Sequence, residues 1–182
     1  MSAVGLFMTP SIIKPTNEDH QIAKLAAIAT VLSLIEFFLP SPIPGVKPGI
    51  ANIITLYALI KFNFHIAFWV SIIRVLVSSL LVGSFLNPTF FLSITGALFS
   101  LGILYFIFNL YGKYFGVLSL SLAASIFHII GQFIVVRFWI IPHDSIFNLL
   151  PVFLLSAFIF GLVNGMIVYG VLQQKPHKYD VK

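Results

Sequence analysis

The sequence predicts an all-α membrane protein: one bundle of six transmembrane helices with both termini in the cytoplasm. Three observations lead there. Of its 182 residues, 59% are hydrophobic and 8% charged, with a mean hydropathy of +1.07, whereas soluble domains run at roughly 45–50% apolar and about 25% charged. Apolar runs approaching the ~20 residues needed for a crossing recur along the chain, separated by short clusters of Pro, Gly, Asn and charged residues. The basic residues also gather at alternate ends of those runs, which sets the orientation. The length leaves room for one compact bundle and no second domain. With no cysteine, disulfides, thiolate metal sites and cysteine nucleophiles are excluded. The net charge of +5 sits mainly at chain ends and in short loops, a topology signal that argues against a nucleic-acid partner.

Residues 1–21 read as a cytoplasmic tail, because the apolar patch at 4–8 is too short for a signal-peptide core. The first span covers 22–39. Its Ala23 and Ala27 are four apart, as are Ala26 and Thr30, giving a small-residue face that another helix can approach closely. The simplest use of such a face is packing inside the bundle. The stretch 39–52, LPSPIPGVKPGIAN, then packs four prolines and two glycines between apolar runs. Proline fixes φ and lacks a donor, and glycine admits unusual backbone, so this is a structured loop and not a helix. The second span, 50–59, ends at Lys61 and is short, which implies that part of the loop dips into the membrane.

A third span follows at 64–82, a fourth at 90–110, a fifth at 115–141 and a sixth at 149–172, the last carrying Gly161 and Gly165 at helix-packing spacing. Asn87-Pro88, Tyr111-Gly112-Lys113 and Pro142-His143-Asp144 mark the intervening turns, and 173–182 forms a second cytoplasmic tail, leaving 22–172 as a single transmembrane domain. Lys14, Lys24, Lys61, Lys113, Lys175, Lys178 and Lys182 fall on one side, and Lys47 and Arg137 on the other. The first side is therefore cytoplasmic, and the Pro/Gly loop faces outward.

Ionisable residues inside a span are costly and usually functional or paired. Here they are Glu36, Arg74, His128 and Arg137, accompanied by Asn52, Ser93, Thr95, Gln132 and Asn164. At about 1.5 Å per residue, most of them share the outer half of the bilayer under the loop 40–48. Glu36, Lys47, Asn52, Arg74, Ser93, His128 and Gln132 are therefore the candidate ligand-binding residues of an outward-facing pocket. Arg74 suits a carboxylate or phosphate, and His128 and Gln132 can donate or accept beside it. The competing reading is structural: Arg74 pairs with Glu36 to lock the bundle, and His128 bonds a neighbouring helix. The twenty phenylalanines, with Trp69 and Trp139, read as lipid-facing or core residues. No HExxH, GxSxG, phosphate-binding glycine loop or aspartate-rich magnesium motif is present, so neither catalysis nor a metal or cofactor is expected.

The segments PGVKPGIANIITL (44–56), RVLVSSLLVGSF (74–85), PTFFLSITG (88–96) and SLAASIFHIIGQ (121–132) resemble the bacterial membrane family called Gx transporter, also labelled heptaprenyl diphosphate synthase component I. The resemblance covers about 25–172. It departs at Ala123-Ala124, where the family more often has Gly-Ala, and at Ile129, where Asn is common. It implies a fold similar to the substrate-binding S components of energy-coupling-factor transporters, in which small residues of the first helix, matched here by Ala23 and Ala27, contact a scaffold that couples to ATPase subunits. On that basis the expected function is transport: a non-enzymatic subunit of the bacterial cytoplasmic membrane, among lipid, capturing a small organic micronutrient or an isoprenoid- or quinone-related molecule. The alternative implied by the label is a non-catalytic membrane subunit that recruits a soluble prenyl synthase subunit.

Overall fold

The computed structural model describes residues 15–39, 49–111 and 114–173. They form α1 (Asn17–Phe38), α2 (Asn52–Lys61), α3 (Phe64–Leu81), α4 (Pro88–Tyr111), α5 (Val117–Val135) and α6 (Leu150–Gln173), and no strand occurs among them. All six predicted helices are present. Five helical stretches are long and apolar enough to cross a membrane, as in a multi-pass membrane protein. The exception is α2, whose 10 residues reach about 15 Å, half a bilayer core.

Local chemistry fixes the helix starts. Thr16 and Asp19 make a reciprocal capping box on α1, with Thr16 Oγ1 accepting from Asp19 N and Asp19 Oδ2 accepting from Thr16 N. Asn63 caps α3 by accepting from Ile66 N at 2.8 Å. Pro151 sits in the first turn of α6, where a missing N–H costs nothing.

The fifth span departs from the continuous helix expected over 115–141. α5 passes at Val136 into a five-residue π-helical turn, Val136–Ile140, and a short 3-10 helix, Asp144–Leu149, leads into α6. Pro142 disfavours helical geometry at the preceding Ile141, which lies at φ −132° and ψ 84°. Arg137 Nη2 then donates across the break to Asp144 Oδ1 at 2.6 Å.

Small residues bring α4, α5 and α6 together. A β-carbon on Gly131 of α5 would lie 2.9 Å from Phe99 Cβ and from the Thr95 carbonyl oxygen on α4, and one on Gly165 would lie 3.0 Å from Ser121 Cβ. Gly161 is closed off in the same way by Ser125 and by Leu122, and its carbonyl accepts from Ser121 Oγ at 2.7 Å. The spacing of Gly161 and Gly165 is thus a packing seam between α5 and α6. An apolar core that includes Leu59, Val70, Leu104 and Val168 fills the Lys61 end of the bundle, while large side chains such as Val31, Phe106 and Met166 point outward. Toward the opposite, Gly49 end a smaller apolar cluster around Val75, Phe90 and Ala97 shares the space with polar groups and an open cavity.

The small-residue face of α1 divides in two. Ala26, Ala29 and Thr30 are buried in the bundle, with Thr30 Oγ1 donating to the Ala26 carbonyl at 2.8 Å. Ala23 and Ala27 are exposed. The two i,i+4 pairs, set about 60° apart around the helix by a shift of three residues, therefore straddle the edge of its buried face.

Candidate functional site

A cavity of about 430 Å³ lies at the Gly49 end, with all six helices contributing to its wall. Of the seven residues expected to bind ligand, Glu36, Asn52, Arg74, Ser93, His128 and Gln132 line it. Lys47, like the loop 40–48, lies outside the described residues. The volume falls within the roughly 300–1,000 Å³ of pockets that hold small organic ligands.

Arg74 arrives from the middle of α3 and is 6% exposed. Its Nη2 donates to Asn52 Oδ1 at 3.2 Å, while Nε is buried without a hydrogen-bond partner. A guanidinium has five N–H donors, and a buried charge this sparsely bonded is costly unless something else compensates it. The ion pairs among the described residues are His65–Glu18 and Arg137–Asp144. The Arg74–Glu36 pair of the structural reading is not one of them, although both charges face the same cavity.

Glu36, 8% exposed in the last turns of α1, instead accepts a short hydrogen bond from the Gly49 amide. The Gly49 carbonyl in turn accepts from Asn164 Nδ2 of α6 at 3.2 Å. Gly49 has φ +68°, a conformation open to glycine and costly for other residues. The last glycine of the Pro/Gly stretch therefore ties α1 to α6 beside the start of α2, and Asn52 three residues later holds Arg74.

His128 enters from α5, with Nε2 3.2 Å from Gln132 Nε2 one turn on and Nδ1 buried without a partner. Gly96 of α4 makes room for its ring, since a β-carbon there would lie 2.7 Å from His128 Nε2. Ser93 lines the wall on the same helix. Thr95 is not part of the wall, and its hydroxyl donates to the Phe91 carbonyl at 2.7 Å.

Sequence reasoning missed two parts of the wall. Ser33, Ser78, Ser79, Ser125 and Ser156 all line the cavity. The signal was available in the Ser78-Ser79 pair one turn beyond Arg74 and in Ser125 three residues before His128, but isolated serines in apolar helices are common. The second part is aromatic: Phe37, Phe90, Phe133, Phe153 and Phe160 also face the cavity, so five phenylalanines are wall residues, Phe90 and Phe133 while also buried in the core. Ile129, at the departure from the family pattern, adds another apolar group.

A second, much smaller space of about 20 Å³ lies between Asn52, Thr55, Ser100, Ser121, Ser125 and Asn164. Thr55 Oγ1 is buried there without a partner, and the space has the size and polarity for one water molecule. Among the described residues no three His, Asp or Glu side chains gather as a metal site.

The family model for heptaprenyl diphosphate synthase component I matches residues 25–171. No curated protein and no solved structure matches the chain.

Proposed function

The chain belongs to the heptaprenyl diphosphate synthase component I family, and from that premise we propose that it is a ligand-binding membrane protein that captures a small organic molecule in the cavity around Arg74. The observation that carries this reading is a buried, permanently charged guanidinium with one hydrogen-bond partner, facing about 430 Å³ of unfilled space. Purely structural arginines in membrane interiors are expected to be fully paired. Glu36, Asn52, Ser93, His128 and Gln132 complete the polar part of the site, with Lys47 as a further candidate from the loop.

The reading extends to transport. The protein is a subunit of the bacterial cytoplasmic membrane with 22–172 as its transmembrane unit, both tails cytoplasmic and the Gly49 end outward. It has no nucleotide-binding motif, so active uptake requires energy-coupling scaffold and ATPase subunits. The exposed Ala23 and Ala27 on α1 are where a scaffold helix can approach.

The family description supports a second reading, in which the chain is a non-catalytic component that works with another synthase component. The cavity of about 430 Å³ lies toward the lower end of the roughly 300–1,000 Å³ of pockets that hold small organic ligands, which favours a small ligand over the complete prenyl product as its occupant.

Gentle purification from the native membrane, followed by mass spectrometry of bound molecules and co-purifying chains, separates the two. The capture reading expects a retained small molecule that is lost from folded Arg74→Ala and His128→Ala variants. A soluble prenyl synthase partner with no retained molecule would move the protein to the second reading.

A further inference from the structure

Resting on the capture reading, we propose that the ligand is a small organic oxyanion that also carries hydrogen-bond donors, its charged oxygens on Arg74 and its apolar body along the phenylalanine wall. The chemistry of the wall is uneven in a way that selects for this. Arg74 brings the fixed positive charge, and it has donors to spare beyond the one given to Asn52. A planar guanidinium matches carboxylate or phosphate oxygens two at a time.

Four of the serines do the opposite. Ser78 donates to the Val75 carbonyl, Ser79 to Leu76, Ser125 to Ser121 and Ser156 to Phe153, at 2.7 to 3.3 Å. Each has spent its proton on its own helix, so only lone pairs remain for the cavity. Acceptors of this number call for hydroxyl or amine donors on the ligand. Phe133, Phe153 and Phe160 form the apolar side, which excludes a bare inorganic anion as the best-fitting occupant. Carboxylate and phosphate share the oxyanion chemistry.

The test uses the full-length protein in lipid nanodiscs and a matched set of probes: an ω-hydroxy fatty acid, the corresponding hydroxyalkyl phosphate, the corresponding diol, the corresponding amino alcohol, and inorganic phosphate. Binding is read by native mass spectrometry, alongside identification of any molecule retained from the source membrane. The hydroxy acid or the hydroxyalkyl phosphate should bind in preference to the diol and the amino alcohol, and the stronger of the two identifies the oxyanion. Arg74→Gln should weaken that binding roughly tenfold to a hundredfold, with Arg74→Lys intermediate, while both variants keep the wild-type helical circular dichroism and elution volume. Binding of the diol or amino alcohol as tight as the acids, or a retained neutral or cationic molecule indifferent to Arg74→Gln, overturns the oxyanion assignment and leaves capture standing. Inorganic phosphate binding as tightly as the organic acids overturns the role of the apolar wall. No retained molecule and no probe binding overturns both this inference and the capture reading.

Discussion

Replacing Gly96 by alanine separates a glycine kept for the site from one tolerated by the helix. A methyl group there would sit 2.7 Å from His128 Nε2, 2.8 Å from Cε1 and 2.9 Å from Cδ2, inside normal contact distance for a whole edge of the ring. The ring or the α4–α5 spacing must give. Overpacking of this kind costs about 1–3 kcal/mol. Alanine in a helix interior recovers about 0.5–1 kcal/mol relative to glycine, so the net change should run from about zero to a loss of about 2.5 kcal/mol. Gly102 lies on the same helix with nothing within 4 Å of its missing β-carbon, and Gly102→Ala should therefore stabilise by about 0.5–1 kcal/mol. Reversible denaturation in mixed micelles measures both, and the imidazole nitrogen resonances of His128 report whether its 3.2 Å approach to Gln132 is lost. Gly96→Ala equal in stability to Gly102→Ala, with unchanged His128 resonances, would refute the close packing on which the position of His128 depends.

Three further outcomes follow from named contacts. Asn52→Ala removes the acceptor of the Arg74 guanidinium and should cost about 1.5–3 kcal/mol; in an Arg74→Met background the same change should cost much less, and additive losses in that double-mutant cycle would exclude the coupling. Gly161→Val forces branched bulk against Ser125 and Leu122 and should destabilise by about 2 kcal/mol or more through the α5–α6 seam, whereas Gly170→Val, with nothing within 4 Å, should leave the melting temperature nearly unchanged. Arg137→Gln breaks the exposed pair with Asp144 and should cost only about 0.2–1 kcal/mol, less in high salt; a loss that salt does not reduce would point to a tighter role for the α5 break.

The fold was legible because hydropathy and turn residues speak directly about lipid. The apolar runs located all six helices, and the short run before Lys61 announced that α2 would be a short one. The Pro/Gly stretch marked the end of the bundle where the polar residues collect, and Gly49 is its described anchor. Five of the six cavity residues named in advance, Glu36, Asn52, Arg74, His128 and Gln132, stood out because an ionisable or amide group in a membrane interior is costly and usually functional or paired.

What was not legible depends on rotation and on neighbours. Ala23 and Ala26 look alike in sequence, yet one is exposed and the other buried, since which side of α1 meets α3 is decided by packing. Phe133 and Phe153 could not be told from lipid-facing phenylalanines, because lipid and an apolar cavity wall ask for the same side chain. The serines were hidden for a related reason: a hydroxyl satisfied by its own helix carries no sign of the space on its other side. The π turn at Val136 was masked by apolar residues on both sides of Arg137, and only Pro142 hinted at where the helix would fail.

The most direct test is a crystal structure of the protein extracted with whatever it carries from its native membrane. Capture at Arg74 predicts non-protein density inside the cavity, with an acceptor oxygen within hydrogen-bonding distance of the Arg74 guanidinium and an apolar part against Phe133 and Phe153. A cavity holding water alone, with Arg74 satisfied by protein groups and any retained molecule seated on an outer helix face, would contradict it.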